Sequence, residues 1–304
     1  MNIRINPYLL LVIATLCWAG NFVLGRAMHN DIPPIAMNFW RWTIAVAILL
    51  PFVMKAVFKY KKIIFDNIWI LISLSITGIA AYHCFVYVAL HSTTTINAIL
   101  MNSMIPFIVP IFSYFIDKST VSIRQLLGIA LSLIGVIFIV TQGSIETLTN
   151  LQFAFGDILM IFAAMLWSLY TVLLKRYPKE LPPLVFLFII SSIGILLLAP
   201  FYAYELTTVG GFKLTINNIL AISYIAIFAA VVAFICWNKA VPQVGANKAG
   251  LFIHLMPLFS SILAIIFLGE DFELFHLIGS LFILTGIVIT VLKSSNNPEA
   301  VTNS

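Results

Sequence analysis

Ten stretches of about 20 residues, each nearly free of charged side chains, follow one another along this chain. At 1.5 Å rise per residue, such a stretch crosses the roughly 30 Å hydrocarbon core of a bilayer as a helix. They lie near residues 7–28, 34–54, 68–90, 95–116, 122–141, 155–176, 183–204, 216–240, 245–267 and 272–292. Each is too long and too evenly apolar for a barrel strand, whose polarity alternates with period two. The first run reads as the first helix rather than a signal peptide, because it is long enough to span and nine more follow it. Of the 304 residues, 62% are hydrophobic and 9% charged, against about 25% charged in ordinary soluble chains. A soluble domain could not hide so much apolar surface, so the chain reads as an all-α integral membrane protein with ten transmembrane helices.

The connections are about a dozen residues at most and leave no room for a soluble domain. Residues 293–304 are polar and are expected to form a disordered cytoplasmic tail. With the N-terminus inside, 13 of the 16 Lys and Arg fall on the inner side. Arg26 and Lys213 fall outside and Arg41 lies within a span. That asymmetry predicts a multi-pass protein of the plasma (inner) membrane with both termini cytoplasmic. The net charge of +5 comes in short clusters between apolar runs, which speaks against a nucleic-acid partner. Cys17, Cys84 and Cys236 sit inside apolar runs with neither a CxxC pair nor metal-ligand spacing, so they read as packing residues. No cofactor or metal is expected, and oligomeric state is left open.

The two halves resemble each other. At an offset of 149, Trp18 maps to Trp167, Pro33-Pro34 to Pro182-Pro183, Phe39 to Phe188, and Pro51-Phe52 to Pro200-Phe201. After a two-residue slip, the offset of 151 maps Ala89 to Ala240, Pro106 to Pro257, Gly128 to Gly279 and Gly135 to Gly286. Rare residues matching in order across the length indicate a duplication. Five spans per half is an odd number, so the second half enters the membrane inverted. Inverted repeats place a solute site near the midplane and suit alternating access.

The ordered motifs resemble EamA-type repeats of the drug/metabolite transporter superfamily. The first half has LCWAGNFVLGRAM, NFWRWTIAVAILLPF, YVALHSTTTINAILMNSMIPFIVPIFSYF and QLLGIALSLIGVIFIV. The second has MLWSLYTVLLKR, WNKAVPQVGANKAGLFIHLMPLFSSILAIIFLGED and HLIGSLFILTGIVITV. The resemblance implies one repeat over 7–141, a second over 155–292, cytoplasmic termini, and transport of a small metabolite, often by export or exchange. It departs from the family pattern at two places. Ser119 stands at the repeat equivalent of the family's acidic Glu270, and Ile190 at that of the family's Arg41.

Arg41 lies seven residues beyond Pro34, about 10 Å into the second span. It either snorkels to the outer headgroups or faces a cavity and meets a carboxylate or phosphate. Asn38, three residues earlier, shares its face. All eleven acidic residues map to loops or span ends, which leaves Arg41 without a charge partner at its depth. An anionic or zwitterionic solute, amino acid-like or other, is the expected substrate. Two layers of polar and aromatic residues could wall its path. Trp18, Asn21, Tyr82, His83, Tyr87 and Asn102 form the outer layer. Trp167, Tyr170, Trp237, Asn238, Asn247, Lys248 and His254 form the inner one. The plain alternatives are an interfacial aromatic belt for Trp and Tyr, hydrogen-bonded structural histidines for His83 and His254, and a cytoplasmic anchor for Lys248. Pro106 and Pro257 fall mid-span at equivalent places and should kink their helices.

An enzyme is excluded, since the interior lacks Asp and Glu and offers no HExxH. A membrane channel or a lipid flippase or scramblase stays open as the alternative to a secondary transporter.

Overall fold

The structure, a computed structural model, describes residues 5–28, 30–268 and 271–292. All ten apolar runs are helical, and no strand occurs among the described residues. Spans 1 to 5 are Pro7–Ala27, Pro34–Lys59, Ile68–Ala89, Ile96–Asp117 and Ile123–Val140. Spans 6 to 10 are Phe155–Arg176, Pro183–Thr208, Ile216–Val244, Ala246–Ile266 and Leu274–Val291. Among the described residues, nine of these helices are long and apolar enough to cross a membrane, and span 1 adds a shorter apolar stretch over Pro7–Asn21. The expected tail at residues 293–304 and Glu270 lie outside the described residues.

Local chemistry sets the ends. Spans 2 and 7 begin on Pro34 and Pro183, where a missing N–H costs nothing and φ is already helical. Thr94, Ser122 and Thr215 cap the helices that follow them by accepting the backbone N–H of Asn97, Gln125 and Asn218. Only Gly245 separates spans 8 and 9, at φ +88°, a conformation that strains any residue with a side chain. Spans 2 and 7 run on to Lys59 and Thr208, past the expected ends at residues 54 and 204. Two short helices, Lys61–Asp66 and Ile145–Thr149, occupy connections expected to be loops.

Four spans are interrupted, in repeat-equivalent pairs. Span 4 breaks at Ser103–Met104, between Thr95–Asn102 and Ile105–Asp117. Span 9 tightens into a 3-10 turn at Phe252–His254. The ring of a helical proline clashes with the carbonyl four residues back, so Pro106 and Pro257 place these breaks at Asn102 and Ile253. Spans 3 and 8 widen into π turns at Ile76–Ala80 and Ile225–Val232. The two-residue slip between the repeats falls in this region, where the second π turn is the longer.

Packing follows the same exchange of halves. Span 3 packs on span 6 as span 8 packs on span 1, span 4 on span 6 as span 9 on span 1, and spans 5 and 10 pack on each other. A Cβ on Gly128 would lie 2.6 Å from the Gly286 carbonyl, and one on Gly135 2.5 Å from the Gly279 carbonyl. Because Gly128 matches Gly279 and Gly135 matches Gly286, the contact is reciprocal, as at a two-fold interface. Bare glycines let the two backbones touch.

Candidate functional site

The halves meet in an aromatic core between spans 1, 3, 6 and 8. The equivalent residues Trp18 and Trp167 lie edge to face at 4.9 Å. His83 and its equivalent, Phe234, are 6.1 Å apart. Trp237 lies 5.1 Å from Trp18, Tyr82 4.8 Å from Trp167, and Tyr170 5.1 Å from Trp167. The breaks of spans 4 and 9 also touch through equivalent residues, His254 Nε2 lying 3.0 Å from the Ser103 carbonyl oxygen.

Beside this core, Arg41 is fully buried and so does not snorkel. Its Nη1 donates to the Tyr87 hydroxyl at 2.9 Å, and that hydroxyl donates to Asn21 Oδ1 at 3.0 Å. The guanidinium carbon lies 5.2 Å from the Trp42 ring centroid. Its Nε and Nη2 have no hydrogen-bond partner. In the other half the Tyr170 hydroxyl donates to Asn238 Oδ1 at 2.7 Å. Residue 21 matches 170 and residue 87 matches 238, so the duplication keeps this Asn–Tyr pair with its members exchanged. Ile190 replaces the arginine there, so only the first-half pair has a cation.

Trp18, Asn21, Tyr82, His83, Val86, Trp167, Ile253 and Met256 line a cavity of about 10 Å³, room for about one water-sized sphere. Any larger solute requires these side chains to part. Tyr82 donates to Asn102 Oδ1 at 3.4 Å on the flank of this cavity.

Several residues read from the sequence as cavity walls, Arg41 among them, are not in its lining. Asn38 turns to span 3, its Nδ2 lying 3.3 and 3.2 Å from the Ile79 and Ala80 carbonyl oxygens of the π turn. Trp18 lines the cavity and also donates its Nε1–H to the Ala229 carbonyl, in the π turn of span 8, at 3.0 Å. His254 is buried, with Nδ1 2.7 Å from Ser132 Oγ, so it ties spans 4, 5 and 9 together. Lys248 is half-buried at the start of span 9 and does not line the cavity. Trp237 and Tyr170 pack against Trp167 at 5.7 and 5.1 Å and do not line the cavity. Trp42, Phe234, Val86, Ile253 and Met256 complete the core and were not singled out in the sequence. An apolar residue inside an apolar run gives no signal, and only its match to His83 points to Phe234.

Two buried carboxylates stand at span ends. Asp157 accepts from the Thr93 hydroxyl, from Asn97 Nδ2 at 2.9 Å and from the Ala154 N–H at 2.7 Å. Glu205 accepts from the Ile35 and Ala36 N–H groups at 3.0 and 2.6 Å. Each offsets the positive end of a helix, spans 6 and 2 respectively, and neither pairs with Arg41. Among the described residues the salt bridges join Asp117 to Lys175 and Arg176. No group of three His, Cys, Asp or Glu among them is placed to hold a metal, and Cys17, Cys84 and Cys236 are free thiols.

The EamA-like transporter family model matches twice, over residues 5–141 and again over 154–292. The chain belongs to the EamA-like transporter family. It is similar to the uncharacterized transporter YyaM of Bacillus subtilis, 26% identical over 94% of this chain and 93% of that one. An uncharacterized transporter of Archaeoglobus fulgidus is 29% identical over 95% and 98%. A solved crystal structure aligns with a TM-score of 0.73 at 18% identity, over 93% of this chain and 95% of its own, a likeness that shows the fold. Within the EamA-like pair of repeats, the first supplies Arg41, His83 and Asn102. The second has Ile190, Phe234 and Ile253 at the same places, so these three polar side chains have apolar counterparts in the other half.

Proposed function

We propose that this membrane transporter is a secondary carrier of a small anionic or zwitterionic metabolite, amino acid-like or of similar charge, working by alternating access. The observation behind this reading is Arg41. It is buried, lacks an ion-pair partner among the described residues, keeps two unpaired nitrogens, and is linked through Tyr87 to Asn21, which lines the aromatic cavity. A carboxylate or phosphate on a solute is the partner such a guanidinium suits, since its planar fork allows a bidentate grip. The closed cavity, the paired helix breaks and the paired π turns support a site opened by rearrangement rather than a standing pore. The charge asymmetry supports an inner-membrane protein with both termini in the cytoplasm.

The test is a screen of labelled amino acids and other metabolites in proteoliposomes, with Arg41→Gln and Arg41→Lys beside the parent. Gln removes the charge and should weaken anionic solutes about 10- to 100-fold, the worth of a charge-assisted hydrogen bond. Lys keeps the charge but loses the fork and should fall between. Parent-like affinity and flux in both variants would overturn the reading.

A second reading, movement of lipid, draws on an apolar cleft of about 500 Å³ between spans 2, 7 and 8, lined by Trp40, Ile44, Tyr202 and Phe212 among others. Lipid flux without solute flux in the same liposomes would favour it.

A further inference from the structure

We infer that the hairpin joining spans 2 and 3 is a docking surface for the headgroups of anionic phospholipids in the leaflet on its own side. Span 2 has 26 residues, about 39 Å of helix, which exceeds the roughly 30 Å of hydrocarbon. Lys55 stands 21 residues beyond Pro34, about 32 Å along the axis, where the acyl region ends. From that depth onward Lys55, Lys59, Lys61 and Lys62 are all exposed, with Asp66 the single acid before span 3 begins. None of the four enters an ion pair among the described residues. Lys55 and Lys59 are one turn apart on the same helix face, with Phe58 beside them.

The same short stretch bares large rings. Phe58, Phe65 and Trp69 are 70%, 72% and 80% exposed. Aromatic rings flanked by lysines are suited to the boundary between acyl chains and headgroups. A soluble acidic partner would explain the lysines and leave the rings unexplained, whereas a phospholipid meets both. The fold itself does not demand the cations. Tyr204, Thr208, Gly210 and Gly211 occupy the equivalent places in the second repeat. A lysine near an anionic leaflet contributes about a fivefold gain in affinity.

The experiment uses the full chain in mixed micelles and nanodiscs, with phosphatidylglycerol competing against phosphatidylcholine and bound lipid counted by native mass spectrometry. The parent should prefer phosphatidylglycerol, and rising salt should erode that preference. Replacing Lys55, Lys59, Lys61 and Lys62 together by Gln should cut the preference at least about tenfold, and replacing all four by Arg should preserve it. Should the fourfold Gln variant not fold, Lys61→Gln with Lys62→Gln alone should give a partial loss. An unchanged preference in the folded Gln variants would overturn the inference. So would equal binding of glycerol 3-phosphate, which has the charge without the chains.

Discussion

At Arg41 the chain accepts a cost that packing does not explain. A fully buried guanidinium keeps one hydrogen bond, to Tyr87, and leaves two nitrogens bare. Each buried group without a partner costs about 1–3 kcal/mol, and the second repeat avoids that cost with Ile190. Tyr87 is therefore the residue to probe beside it, since its hydroxyl accepts from Arg41 and donates to Asn21. Tyr87→Phe should lower the affinity for an anionic solute several-fold and destabilise the fold by about 1–3 kcal/mol. Tyr170→Phe should cost similar stability with less effect on affinity, because no cation leans on Tyr170. Binding isotherms and thermal unfolding of the two variants check this, and equal affinity losses would separate the site from Arg41. Trp18, Asn21, Arg41 and Trp167 could be read from the sequence because a polar or very large residue stands out in an apolar run. Asn38 shares the face of Arg41, as the three-residue spacing implies, and bonds the π turn instead of lining the cavity. Both side chains reach span 3, Asn38 at the Ile79 and Ala80 carbonyls and Arg41 at Tyr87, about two turns further along that span.

Among the elements, the breaks in spans 4 and 9 were visible through Pro106 and Pro257, whose chemistry is local. The π turns were not. ITGIA and IAIFAAVV contain nothing that distinguishes them from ordinary apolar helix. The donors that meet their carbonyls, Asn38 and Trp18, come from other spans. Such turns are uncommon and cluster at functional sites, and here they precede the segments that present Tyr82, His83, Trp237 and Asn238. The clearest element-level test lies between spans 5 and 10. A Cβ on Gly286 would sit 2.4 Å from the Gly128 carbonyl oxygen and 2.8 Å from Ser132 N. Gly286→Ala should force the two helices apart at about 1–3 kcal/mol, typical of overpacking. Gly211→Ala, whose Cβ meets only Leu206 Cδ1 at 3.7 Å, should be nearly neutral. Thermal unfolding in one detergent compares them, and a neutral Gly286→Ala would mean that the pair is loosely packed.

For the whole molecule, the duplication could be read from Trp, Pro and Gly in register, and the reciprocal glycine contact between spans 5 and 10 agrees with it. Orientation rests on loop charge. Reporters fused at Ser304 and in the connection near Ser144 should report opposite sides of the membrane. Same-side signals would contradict the ten-span topology. Alternation itself is tested by reagent access to two cysteines introduced into a chain whose Cys17, Cys84 and Cys236 have been replaced. One goes at Val86, which lines the cavity, and one at Ala240, a turn beyond Trp237 in span 8. With a membrane-impermeant thiol reagent, each site should label from one side only, Val86→Cys from the outside and Ala240→Cys from the inside. A transported solute should raise labelling at one site while lowering it at the other. Simultaneous labelling of both sites, unaffected by any solute, would contradict a carrier and point to a standing pore.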